Sequence, residues 1–479
     1  MSVLYLKYAL KPFLFIFQLL NRIFWSGLNG RTVFQLVLNF WLNFSPVFIW
    51  LLMFKNAGII PKEIRPKIYV ALAMHVDDYI FNFMGHPFIS TIAIVSLVSG
   101  AWLIYYAFYR TPASKKQKQS YLALSNVYKN ELHSGHSIDS DDPTAVGSSS
   151  ETSSDLEDFN EYELADMNSS SSDLGDVSIF NSPGDWQDDT HHSSIEFFKN
   201  LSSNAISTQT SETNRRIWKT IKTRGYGPLN CWNLSPPILM ALSWFLLNID
   251  YWFKDPINTP KDLIAWASYV LFHFFVPLFT AIWLYVFHAP GALRLFSFGL
   301  GMQNIAGVCT HLLFPNAPPW FIHLYSEDGE ASYDLPGYAA GLTRVDMAMG
   351  THLNSNGFHA SPIVFGALPS LHSAMAVMAF FFVSYYSRWT TLKLLAASFV
   401  ALQWWATIYL DHHWRLDLVI GMLYAITSFT LLYCWPRGIK KVDSDFMKAR
   451  LRFDFKNGST MGMRVFRNTR LQNFFDPLG

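Results

Sequence analysis

Two histidines and an aspartate carry the chemistry that this sequence offers. His413 and Asp417 stand four residues apart in "LDHHWRLDLVIG" (Leu410–Gly421), so they share a face wherever that segment is helical. A carboxylate so placed accepts a hydrogen bond from one imidazole nitrogen, which fixes the tautomer and leaves the other nitrogen for a substrate. A second imidazole, His372, lies in "GALPSLHS" (Gly366–Ser373). Pro369 there marks a helix start. A helix start presents free backbone N–H groups and the positive end of a dipole, which suits a phosphate, and Ser370 stands in that turn. Two histidines flanking one phosphorus atom point to double displacement: one attacks to form a phosphohistidine, and the other protonates the departing oxygen.

The remaining ionisable groups nearby read more plainly. His412 and Asp411 shape the loop. His273 and His311 each stand alone in an apolar stretch and are expected to hydrogen-bond a neighbouring helix. His412 and His413 do not make a zinc site, because adjacent side chains diverge and no second ligand pair has zinc spacing. No metal and no cofactor is expected, and the scattered Cys231, Cys309 and Cys434 form no ligand set or disulfide framework.

What must position these groups is a membrane scaffold. The chain of 479 residues is 51% hydrophobic and only 15% charged, apolar-rich and charge-poor for a soluble protein. About 20 apolar residues cross a bilayer as a helix. Val33–Phe54, Pro87–Tyr109, Ser235–Phe253, Leu263–Phe287, Leu295–Phe314, Ile363–Tyr386, Leu394–Leu410 and Leu416–Trp435 all fit. The expected fold is an all-α polytopic membrane protein with about eight transmembrane helices. Leu4–Trp25 is apolar but holds Lys7, Lys11 and Arg22, which suits an interfacial helix.

Net charge is +1, but the charges are segregated. Between Lys129 and Lys199 lie seventeen acidic residues and no Lys or Arg, amid runs of serine. Such a segment buries too little apolar surface to offset ordering entropy and is expected to be a disordered linker. The organisation is then an interfacial helix and two spans in 1–111, an acidic linker in 112–214, a six-helix catalytic core in 215–435 with a loop at 315–362, and a basic tail in 436–479. Basic residues cluster after the second span, before the third and in the tail, which holds ten of them. These flanks are expected to be cytoplasmic, with loop 315–362 on the lumenal side. One stretch disagrees: Lys55, Lys62, Arg65 and Lys67 fall on the lumenal side. The same topology brings His372, His413 and Asp417 to one membrane face, and ionisable groups at that depth are functional by default.

"PSLHS" followed by "HHWRLD" resembles the lipid phosphatase and phosphotransferase superfamily, whose motifs are Pro-Ser-x-His and His-x3-Asp. That resemblance implies a lipid phosphatase-like helical core, with His413 as nucleophile, Asp417 as its orienting partner and His372 as acid/base. Longer stretches, among them "NFSPVFIWLLMFKNAGIIP", "FSFGLGMQNIAGVCTHLLFPNAPPWFIHLY" and "GMRVFRNTRLQNFFDPLG", resemble the fungal inositolphosphotransferases that make mannosyl-diinositol-phosphorylceramide. The "FPNAPPW", "PSLHS" and "HH" core is similar to inositol phosphorylceramide synthase as well. The resemblance implies phosphatidylinositol as donor, mannosyl inositol-phosphorylceramide as acceptor, diacylglycerol as product, a lipid bilayer as the medium and the Golgi as location. No nucleic acid partner is expected.

There are two departures from the superfamily pattern: its arginine six residues before the nucleophile is replaced here by Thr407, and its Lys-x6-Arg-Pro motif is not recognisable. Anionic oxygens in a low-dielectric site need charge or donors, so Arg344 and then Arg415 are the expected phosphate partners. Arg415 is also placed to meet the phosphate of the acceptor. The alternative for Arg344 is a loop salt bridge with Asp346 or Asp334. Asp346 and Trp320, the latter in the rigid "PNAPPW" segment, are candidate walls of the substrate pocket, and Trp320 is alternatively an interfacial anchor. Rival functions are ceramide as acceptor, hydrolysis to water as in a lipid phosphatase, and a non-catalytic lipid-binding scaffold.

Overall fold

A computed structural model describes residues 2–81, 254–451 and 454–477, with positions 92 and 96. Beyond those two positions, the predicted spans Pro87–Tyr109 and Ser235–Phe253 and the predicted linker 112–214 lie outside the described residues. Within them the protein is helical, with two isolated β-bridges and no strand.

The order is α1 (Ser2–Leu28), α2 (Val33–Asn56), α3 (Leu72–Phe81) and α4 (Thr259–Trp266). A π-helical stretch, Ala267–Phe272, joins α4 to α5 (His273–Phe287). There follow α6 (Ala292–Leu313), the short α7 (Pro319–Tyr325), α8 (Leu342–Met349) and α9 (Leu353–His359), then α10 (Leu371–Tyr386), α11 (Thr390–Tyr409) and α12 (Arg415–Cys434). Last come α13 (Ile439–Leu451) and α14 (Met461–Val465). Local sequence sets the starts. Thr32 and Gln35 form a reciprocal capping box at α2. At α4 the cap is Asn258, which accepts from the Lys261 N–H, and Pro260 sits in the first turn.

Four helical runs are long and apolar enough to cross a bilayer: Val33–Ile59, Thr259–Phe287, Thr390–Tyr409 and Arg415–Cys434. Eight spans is therefore more than the described residues hold. Leu295–Phe314 is helical as predicted, in α6, but Ser297, Gln303, Asn304 and His311 are buried along it. The predicted span Ile363–Tyr386 is shorter than expected, because its helix begins only at Leu371. Residues before a proline avoid the helical region, and the backbone of 365–367 is engaged elsewhere: Asn316 N–H donates to Phe365 O and Ala367 N–H to Asn316 O.

α10 is the axis of the bundle. Every residue from Ser373 to Tyr386 is buried, against α5, α6, α11 and α12. Phe380, Phe382 and Tyr385 interdigitate with Phe296, Val400, Trp404 and Phe429. Lipid tails are as apolar as leucine, so close packing holds such a core in a bilayer. α2 crosses α6 where Gly301 faces Pro46; a Cβ at Gly301 would overlap the proline.

Each end of the bundle carries its own layer. At the end where α10 begins, Tyr69, Asn316 and Gly366 form a bridge ladder over a cap core of Ile68, Ala317, Trp320, Phe321, Ala340 and Phe365. At the other end the predicted basic tail folds back as α13 and α14. Tyr385 O–H donates to Asp443 across 2.7 Å, Arg464 Nε donates to Ser26 O, and Phe475 packs on Phe287 with ring centres 4.8 Å apart.

Candidate active site

The bridge ladder ends at Ala367, and Ala367 O lies 3.0 Å from His413 Nδ1. Asp417 Oδ2 is 3.4 Å from the same nitrogen. Both partners only accept, so Nδ1 carries the proton and Nε2 keeps its lone pair. Asp417 is fully buried and is itself fixed locally: as the third residue of α12 it accepts the Trp414 N–H across 2.8 Å, the reach-back of a helix start. The i,i+4 spacing read from the sequence thus becomes a carboxylate-held imidazole at the mouth of α12.

The "PSLHS" turn is fastened to the same helix. Ser370 N–H donates to Asp417 O at 3.0 Å. Ser373 Oγ donates to Leu418 O at 2.7 Å and accepts from Trp404 Nε1 at 2.8 Å. A Cβ at Gly421 would overlap Ser370 O, so only glycine lets α12 approach this closely. The Ser370 hydroxyl, expected to meet a phosphate, instead caps α10 by accepting the Ser373 N–H. That leaves the Leu371 and His372 amides of the first turn without a partner inside the helix.

The result brings His372 to 5.9 Å from His413, ring centre to ring centre, with planes inclined by 59°. The two imidazoles share one face at a spacing that one phosphate can span. Tyr269 stacks on His372 at 4.1 Å and also on His412 at 4.8 Å. His273 packs against His372 at 4.3 Å. Tyr269 belongs to the π-helical stretch, a distortion found often at functional sites. No sequence motif marks Tyr269. His273 was expected only to meet some neighbouring helix; its neighbour is the His372 ring. His311 does bond a neighbouring segment, through Nε2 to Pro369 O at 2.8 Å. His412 shapes the loop, stacked between Tyr269 and Phe358.

The expected phosphate-binding cations are held by carboxylates. Arg344 Nε and Nη2 each lie 2.8 Å from Asp262 Oδ1, with the guanidinium over the Tyr409 ring. Neither Asp346 nor Asp334 is its partner. Asp334 pairs with Lys62. The Asp346 oxygens are engaged within their own loop: they accept from Thr351 Oγ1 and from the backbone and side chains of Asn354 and Ser355. Burial would raise the Asp346 carboxyl, but these hydrogen bonds outweigh it and hold the group down at about 2. Arg415 points to α3, where Nε and Nη2 lie 3.0 and 2.9 Å from Asp77 Oδ2; the other Asp77 oxygen accepts the Leu416 N–H. Trp320 is neither interfacial anchor nor exposed wall, being buried in the cap core against Tyr338. Thr407 is fully buried with its hydroxyl bonded to Trp404 O, so it supplies no charge.

The helical bundle thus brings together two histidines, one of them held by a buried aspartate, and residues 242–431 match the PAP2 superfamily. The chain is 30% identical to Inositolphosphotransferase 1 of Saccharomyces cerevisiae, over 95% of this chain and 97% of that one. It is 36% identical to inositol phosphorylceramide synthase of Candida albicans over 35% of each chain. To the catalytic subunit of that synthase from Schizosaccharomyces pombe it is 36% identical over 40% of this chain and 47% of the other. No solved structure matches. The chain belongs to the inositolphosphotransferase family: it is a multi-pass membrane enzyme, a sphingolipid phosphotransferase.

Proposed function

We propose that the enzyme moves phosphoinositol from phosphatidylinositol to mannosyl inositol-phosphorylceramide. His413 Nε2 attacks the donor phosphorus in line, and the bond from phosphorus to the diacylglycerol oxygen breaks. His372 gives that oxygen its proton, releasing diacylglycerol and leaving phosphoinositol on Nε2. In the second half, His372 takes the proton of an acceptor hydroxyl, the oxygen attacks phosphorus, and the bond to Nε2 breaks. Asp417 and Ala367 O hold the Nδ1 proton throughout. The observation that carries this reading is the double acceptor on His413 Nδ1, which frees Nε2 beside His372. Catalysis of this kind is mostly positioning and charge stabilisation.

The first amides of α10 meet the phosphate, and Arg344 turns from Asp262 toward it when the substrate's charge arrives. Arg415, tied to Asp77, acts second, on the phosphate already carried by the acceptor. The larger acceptor is favoured by a cavity of about 390 Å³ beside His311, lined by Lys62, Arg65, Tyr333 and His359. Such a volume suits a sugar-phosphate head group. Lys62 and Arg65 are two of the cations that broke the topology rule, and they lie outside the matched residues 242–431. A head-group site gives those charges a reason to be on the catalytic face. By the distribution of Lys and Arg, that face is lumenal and the termini cytoplasmic, in a Golgi membrane.

The test is purified protein with inositol-labelled phosphatidylinositol and each acceptor in turn. Label passing to mannosyl inositol-phosphorylceramide supports the reading; label passing only to ceramide, or to water, overturns it. Quenching before acceptor is added should leave acid-labile label on the wild-type chain and none on His413→Ala.

A further inference from the structure

The end of the bundle away from the histidines holds a second polar site. A cavity of about 690 Å³ opens between the α1–α2 turn, the start of α6, α13 and α14. Its walls carry Arg31, Arg294, Lys448 and Arg464, one cation from each of four segments. Among the described residues none of the four makes an ion pair. The two carboxylates in the wall are engaged elsewhere: Asp445 pairs with Lys441, and Asp454 accepts from the Lys456 and Asn457 backbone and from Asn457 Nδ2. Arg464 is tied only to oxygens of Ser26 and Ser459. Burial pushes its guanidinium down, the Tyr285 phenol in the wall opposes this, and Arg31 nearby adds to the lowering. Like charges facing one cavity repel unless an anion lies between them.

Three further observations point the same way. His288 lines this cavity, is 6% exposed, and its Nε2 has no hydrogen-bond partner among the described residues. The 22-residue helix α6 starts beside it, with Gly291 as a cap that offers no side chain and Gly291, Leu293 and Arg294 in the wall, so the positive dipole end lies at this cavity. Asn39 and Asn43, one turn apart in the apolar α2, also line it; polar residues at such positions mark a ligand path. The outer flank of α2 beside them is apolar and exposed, with Phe34, Leu38, Trp41 and Leu42. A polar cavity continuous with an apolar flank fits a molecule with a charged head and acyl chains.

We propose that this cavity binds the phosphorylated head group of an anionic phospholipid from the leaflet opposite the catalytic histidines. α6 runs from the cavity to His311, a rise of about 30 Å, so this is not the donor site. The inference does not rest on the acceptor assignment.

The test uses the full chain in phosphatidylcholine nanodiscs with or without phosphatidylinositol 4-phosphate, reading retained lipid by native mass spectrometry, in a His413→Ala background to prevent turnover. Removing a cation near a membrane surface weakens anionic lipid binding about fivefold. The pair Arg31→Gln with Arg294→Gln should therefore lower retention on the order of 25-fold, and Lys448→Gln alone about fivefold. With His413 restored, the double variant should transfer phosphoinositol at the wild-type rate in phosphatidylcholine supplied only with saturating donor and acceptor lipids, which shows that it folds. If the double variant does not fold, Lys448→Gln decides by the same readout. Soluble inositol 1,4-bisphosphate is the second arm. Competition as strong as that of the lipid keeps the anion site and assigns it to a free phosphate; weak competition assigns it to the lipid. Unchanged retention in the variants, or an equal loss in a Lys67→Gln with Arg437→Gln control, overturns the proposal.

Discussion

The two ends of this bundle treat charge in opposite ways. At the histidine end four cations come with carboxylates, Arg344 with Asp262, Arg415 with Asp77, Lys254 with Asp411 and Lys62 with Asp334, while Arg65 is held by backbone carbonyls. At the far end Arg31, Arg294, Lys448 and Arg464 surround a cavity whose two carboxylates, Asp445 and Asp454, are bonded to other groups. A site that must take up and release phosphate in every cycle gains from cations already balanced, because an unbalanced cluster would hold the anionic product. A site that keeps its anion gains from the reverse. Counting basic residues near a pocket therefore does not identify the catalytic one.

The largest effect expected at the balanced end is at the imidazoles. His372→Gln should lower transfer by about 10²–10⁴-fold, the usual contribution of a general acid–base group, with the covalent label on His413 formed slowly rather than lost. A variant with wild-type rates would remove the two-histidine scheme. Next is the neutralised guanidinium. Arg344→Gln should lower kcat by about 10²–10³-fold if the guanidinium turns to the transition-state phosphate, while Asp262→Asn should change kcat much less. Equal losses in both would make the pair purely structural and blur the contrast between the ends. Asp417→Asn should lower kcat by less than the roughly 10⁴-fold seen when an asparagine traps the wrong tautomer, because Ala367 O still accepts from Nδ1; steady-state rates against pH check this. Gly421→Ala should destabilise by about 1–3 kcal/mol, as overpacking does, and separate the "PSLHS" turn from α12; thermal unfolding in detergent reads it out. The smallest effect is at Asp346. Its folded carboxyl lies at about 2, below its unfolded value. Its contribution is fully present above about pH 4 and is lost as pH falls toward 2. Hydrogen exchange of residues 342–360 should follow that window and become insensitive in Asp346→Asn.

The pieces of the site were legible to different degrees. His413 with Asp417, and His372 in its turn, could be read because local rules act over four or five residues: helical periodicity, a proline start, a carboxylate reaching one turn. The short span at 363–370 could not, since its backbone partners at Asn316 lie about fifty residues away. Nor could the fate of the charges. Arg344 and Arg415 sit beside plausible anionic groups in sequence, yet their partners are Asp262 and Asp77, distant in the chain. The tail read only as basic and cytoplasmic; that its apolar residues Phe446, Met447, Met461 and Met463 are buried was not legible in the sequence.

Composition and short-range spacing were enough to specify a helical membrane enzyme with a steered histidine and a second imidazole, because both properties are written within single segments. The tautomer of His413, the pressing of Tyr269 and His273 on His372, and the division of the cations into neutralised and unneutralised ones emerged only when the chain was folded. Those outcomes depend on contacts between segments far apart in the chain, and electrostatic energy follows distance in space.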